Sequence, residues 1–138
     1  TRIALDLAMT DDLVKAYNGT YDSSMHALVD DMRTHTEQGH AFLDEDRDFH
    51  ARLAKGVDNQ IIGELAGAFW EIHTRALPLL GISTPQDIMD TVEAHEAILL
   101  AVESGDVEAY RSAVQAHYLP LQRAIERAAH MIDDEPTP

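Results

Sequence analysis

The strongest constraint on this chain is a helical period of apolar residues that runs almost end to end. Met25, Leu28, Val29 and Met32 recur at about 3.6-residue spacing, as do Ile88, Val92, Leu99 and Val102. No stretch of useful length alternates with period two, and there is no internal repeat or low-complexity tract. Turn signals divide the pattern: "NG" at 18–19, Gly39, Gly56, "PLLGISTPQ" at 78–86 and "SGD" at 104–106. Helices are therefore predicted over about 2–17, 20–39, 41–55, 59–77, 86–103 and 106–132. The fourth is read through Ile61, Ile62, Leu65, Phe69 and Ile72, and Ser83 or Thr84 before Pro85 is read as the capped start of the fifth. Pro120 is expected to kink the sixth, and the terminal "DDEPTP" to fray. Six helices with short connections predict an all-α antiparallel bundle.

A chain of 138 residues with 45% apolar content supports one domain with a proper core. It contains no cysteine, which rules out disulfides and thiolate metal sites. The longest apolar run, "AILLAV" at 97–102, is far short of the roughly 20 residues that span a bilayer. A soluble, cytoplasmic protein is the expectation, with no membrane partner. The formal net charge is −15, from 25 acidic and 10 basic residues. Proteins that bind nucleic acid need a basic surface to displace counterions from phosphates, so these residues do not bind DNA directly. The chain begins at Thr1 without an initiating methionine and reads as a piece of a longer protein.

Polar residues occupy slots in three of the apolar stripes. In "FLDEDRDFHARL" (42–53), Phe42, Phe49 and Leu53 fall at helical spacing, yet Asp46 and His50 share their face. Residues four apart on a helix differ by about 40° in direction and lie roughly 5–6 Å apart, so these two point the same way. Asp44, Glu45 and Asp48 point elsewhere. His95 fills the centre of the stripe made by Ile88, Val92, Leu99 and Val102, and His117 fills that of Tyr110, Val114, Leu121 and Ile125.

A buried polar group without a partner costs about 1–3 kcal/mol and an isolated carboxylate far more. Four such groups placed separately would consume much of a typical stability of about 5–15 kcal/mol. Convergence on one divalent cation satisfies them together, and one Asp with three His suits Zn, Ni, Mn or Fe(II), with coordination positions left open. Each histidine taken alone is more ordinarily a hydrogen-bonded core residue; the set of four on three stripes is what favours metal. His26, His35, His40 and His130 read as surface residues. His73 follows Ile62, Ala66 and Phe69 at helical spacing and reads equally well as a core histidine or as a pocket residue.

With those residues in view, "DRDFHARLAKGVDN" (46–59), "EAHEAILLAVESGD" (93–106) and "GDVEAYRSAVQAHYL" (105–119) resemble the FCD domain. This is the C-terminal effector-binding domain of FadR-type regulators in the GntR family. The final histidine falls eleven residues after Asp106, and "RIALD" (2–6) is similar to the family's opening helix. The resemblance implies a helical bundle around a cavity, with metal ligands at Asp46, His50, His95 and His117. It also implies a small organic carboxylate as effector, a homodimer, and DNA contact through an N-terminal winged helix-turn-helix domain not contained in this chain. Arg2 and Arg75 are candidates for a second carboxylate contact, because guanidinium matches that group bidentately. His73 and Tyr110 are candidates for pocket hydrogen bonds. The competing readings are a metalloenzyme and a helical module that a metal merely stabilises. Against the first, the sequence has no HExxH motif and no glutamate evidently placed as a base beside His50 or His117.

Overall fold

A computed structural model describes residues 2–80 and 84–133, apart from the side chains of 74 and 76–80. Ser83 and the tail beyond 133, both singled out above, lie outside the described residues. The described residues form seven helices: α1 (Arg2–Ala8), α2 (Thr10–Tyr17), α3 (Ser23–Glu37), α4 (Leu43–Ala54), α5 (Gln60–Leu80), α6 (Pro85–Ser104) and α7 (Val107–Asp133). Among the described residues there is no strand, and no helix is long and apolar enough to cross a membrane.

The expected first helix is two helices, and the break has a tertiary cause. Met9 leaves the helix, its N–H turning to the Asp6 carbonyl at 3.3 Å. The Thr10 hydroxyl donates to the Leu7 carbonyl at 2.5 Å, a side-chain bond that competes with the helix ladder. Freed from the i+4 partner of a continuous helix, the Asp6 carbonyl also accepts the Tyr110 hydroxyl of α7 at 3.2 Å. No local signal predicts that contact.

Elsewhere local chemistry sets the ends. Asp22 caps α3, its side chain accepting from the Ser24 and Met25 amides at 3.0 and 3.3 Å. Thr84 and Asp87 form a capping box at α6, followed by Pro85 in the first turn. Asp87 also accepts from Arg127 at 2.7 Å and Arg123 at 3.3 Å, tying the far half of α7 to the start of α6. The helix is continuous across Pro120, although the proline lacks the donor for the Ala116 carbonyl.

α6 is central and packs against α2, α3 and, most extensively, α7. α4 joins α3 to α5, and α1 lies on α5 and α7. The core gathers Leu13, Met25, Met32, Phe49, Val92, Leu99, Val102 and Tyr110. Four expected core positions are corrected here. Ile125 is exposed, and its neighbour Ala124 takes the buried face of α7 instead. On α5, Ile61, Leu65 and Ile72 are exposed while Ala66 and Trp70 are buried. That helix is apolar on two faces, and periodicity could not choose between them.

Gly105 ends α6 with φ +71°, and a Cβ there would lie 2.7 Å from the Asn18 side chain. The left-handed conformation alone costs an L-residue about 1–2 kcal/mol. Gly105→Ala is therefore expected to destabilise the protein by at least about that much. A urea unfolding curve matching the parent's would contradict the tight α2–α6 approach.

Candidate metal centre

α4 carries Asp46 and His50 on its buried face, one turn apart, with Arg47 and Asp48 outside in solvent. α6 contributes His95, which is fully buried, and α7 contributes His117. One ligating atom from each of these four residues lies within 4.8 Å of every other, a grouping that could hold a metal ion. His95 Nε2 is at the hub: 2.8 Å from Asp46 Oδ1, 3.0 Å from His50 Nε2 and 3.3 Å from His117 Nε2. His50 Nε2 is 3.4 Å from the same Asp46 oxygen. Edges of Phe49 pack on the His50 and His95 rings, with centroids 5.2 and 4.9 Å apart, and hold the imidazoles in place. This answers why a carboxylate and an imidazole interrupt the stripe of Phe42, Phe49 and Leu53: they face the other histidines.

Proton counting tests whether a cation fits. His95 Nδ1 sits 2.7 Å from the Thr91 carbonyl one turn earlier on α6. A carbonyl only accepts, so Nδ1 must carry the proton and donate it. In the neutral ring Nε2 is then a bare lone pair, pointed at the Asp46 oxygen and at two more imidazole nitrogens. One proton can bridge a single one of these pairs and leaves the others opposed. A cation satisfies all of them, and the Thr91 contact is the outer hydrogen bond that orients a ligating histidine. The spacings agree. Metal–ligand bonds of about 2.0–2.1 Å place donors about 2.9 Å apart at a right angle and about 3.3 Å apart at the tetrahedral angle.

Electrostatics prepares the ligands. Burial pushes the Asp46 carboxyl up, but His95 and His50 beside it outweigh that and hold it well below the usual carboxylate range. Burial pushes His50 down to about 3 against the opposing pull of Asp46. Burial, then the neighbouring His95 and His50, push His117 well below its ordinary value. At neutral pH the cluster thus presents an ionised carboxylate and neutral His50 and His117, the forms that bind metal.

The other candidates lie differently. Tyr110 is buried and hydrogen-bonded to Asp6 as described, and burial raises its phenol. The Arg2 guanidinium lies 3.5 Å over the indole of Trp70 and 5.3 Å from the Tyr118 ring. Its Nε, Nη1 and Nη2 are shielded from solvent, and no acceptor among the described residues reaches them. A stacked cation gains about 0.5–2 kcal/mol, less than the several kcal/mol that burying an ion costs, and burial accordingly lowers the Arg2 pKa. His73 is half-buried, 5.1 Å from Trp70, and desolvation takes it down to about 4. Arg75 is exposed on α5, and no contact places it in the cluster.

Three neighbours escaped the sequence reading. Trp70 stacks on His50, ring centroids 3.5 Å apart and planes 20° apart. Asp6 accepts the Tyr118 hydroxyl through Oδ2. The one available signal was the i,i+4 spacing of Arg2 and Asp6; nothing marked Trp70 or Tyr118. Beside His50, Trp70, Asp6 and Tyr110 lies a cavity of about 20 Å³, room for about one water molecule.

A helical bundle with a buried cluster of one Asp and three His defines an all-α domain with interior groups that could hold a metal ion. The FCD domain profile matches residues 1–119, and the chain belongs to the FCD domain family. It is 37% identical over 106 residues to NedR of Micromonospora viridifaciens, a protein whose name assigns it to transcriptional regulation. That match covers 77% of this chain and 76% of the relative. No solved structure matches the chain.

Proposed function

We propose that this chain is the sensing domain of a GntR/FadR-type transcriptional regulator. Asp46, His50, His95 and His117 hold one divalent metal, zinc in the first place, with nickel, manganese and iron(II) as alternatives. The observation that carries this reading is the position of His95 Nε2, 2.8–3.3 Å from three other ligating atoms, with Nδ1 held by the Thr91 carbonyl. Bound there, the metal supplies a Lewis-acid centre with open positions for an oxygen ligand. A small organic carboxylate is the effector. The Arg2 guanidinium favours it, since no acceptor among the described residues reaches that group and a carboxylate would supply one. Tyr110 lines the cavity and His73 flanks Trp70, and both are placed to shape the pocket.

Regulation of this kind requires the acid to favour one arrangement of the domains attached to the bundle. The chain's four donors come from α4, α6 and α7, so the loaded site ties three helices together. The DNA contact belongs to a further domain, in a protein that acts as a homodimer in the cytoplasm. We read the chain as a sensor without turnover, which its FCD family membership and its likeness to a transcriptional regulator favour.

Metal analysis of purified protein tests the site. One equivalent is expected in the parent, and His50→Ala and His117→Ala are each expected to lose it. Unchanged metal in both variants would remove the site.

A further inference from the structure

The cavity beside the cluster has about 20 Å³, too little for even a two-carbon acid, so something must move for an effector to enter. Trp70 is the side chain in the way. Its indole covers the flat face of His50 at 3.5 Å and meets the His117 ring edge-on at 5.6 Å. Arg2 lies 3.5 Å from the same indole. Two groups at that height cannot share one face, so guanidinium and imidazole flank the indole. The cation that lacks an acceptor is thereby separated from the metal ligands by one ring.

We propose that Trp70 is the gate and the size-determining residue of the site. The indole occupies the ground between the ligand cluster and Arg2, and a carboxylic acid enters by displacing it. Its withdrawal joins the two groups that a carboxylate needs, the metal on one side and the guanidinium on the other. The volume vacated by the ring then sets the largest acid accepted. This inference rests on the metal-and-acid reading above.

Trp70 is the sole tryptophan of the chain, so its emission reports its own movement. Zinc-loaded protein is titrated with acetate and with benzoate, following heat in the parent, Trp70→Phe and Trp70→Ala, and tryptophan emission in the parent alone. Zinc content and helical circular dichroism are measured first in each. Acetate is expected to shift the parent's emission to the red over the same concentrations that release heat. Benzoate, whose ring fills the space left by the indole, is expected to gain at least tenfold over acetate in Trp70→Ala, and only when zinc is present. Trp70→Phe is expected to fall between and keeps the test open if the alanine variant does not fold. Acid binding in the variants alone would also support a closed gate.

Acetate heat with unchanged emission, or a benzoate gain that does not need zinc, would overturn the gate and leave the acid sensor standing. Bound zinc with no acid binding in any form would overturn both. Failure to bind zinc would remove the centre itself.

Discussion

Zinc at a thousandfold excess over its dissociation constant is expected to raise the melting temperature of metal-free protein by about 10–15 °C. A ligand that binds only the folded state stabilises by about 4 kcal/mol at that excess, and a domain of this size shifts by about 3–4 °C per kcal/mol. The basis is specific to this cluster. Unfolding scatters donors drawn from α4, α6 and α7, so the unfolded chain has no comparable site. His95→Ala removes the hub and is expected to abolish the shift, whereas substitution of the exposed His130 leaves it intact. Differential scanning calorimetry with and without zinc decides it. A similar shift in parent and His95→Ala would mean that zinc acts elsewhere on the chain.

Acid is expected to destabilise the metal-free protein strongly between pH 7 and pH 5. His50 is held down to about 3 and His117 well below its ordinary 6.5, both chiefly by burial. In that window the unfolded chain binds protons at these two histidines and the folded protein does not. Stability contributed by each is full above the unfolded value and is lost as pH falls below it. His50 accounts for about 2 kcal/mol between pH 7 and pH 5, and His117 adds to it in the same direction. His73, lowered in the same direction and half-buried, adds less. Asp46 acts the same way, but only as pH falls below the 3.8 of an ordinary carboxyl. Asp6, raised by burial, works in the opposite sense near the carboxylate range. Urea unfolding at the two pH values measures the difference, and His50→Gln is expected to remove the His50 share of it. Equal stability at pH 7 and pH 5 would contradict neutral, desolvated imidazoles in the cluster.

How much of this was legible beforehand differs from residue to residue. Asp46 and His50 share a face by helix geometry alone, and their place in an apolar stripe announced that they face inward. His95 and His117 were marked in the same way. The capping box at Thr84 and the αL glycine at 105 are local chemistry, readable from a few neighbouring residues. By contrast, α5 carries apolar residues on two faces, and its reading through Ile61, Leu65 and Ile72 chose the exposed one. Trp70 and Ala66 were the inward residues, and with them went the stack on His50. The division of the first helix at Met9 was equally hidden, since it depends on Tyr110, about a hundred residues away.

The sequence by itself determined an all-helical chain, the order of its main helices and the inward turn of Asp46, His50, His95 and His117, because periodicity and caps are properties of one segment at a time. Only the tertiary structure decided that the inward groups of α4, α6 and α7 meet at a single point. It also decided that the indole of Trp70 stacks on His50 and on the Arg2 guanidinium. Those facts depend on how helices distant in sequence lie against one another, and packing of whole faces sets that, not the spacing within any one of them.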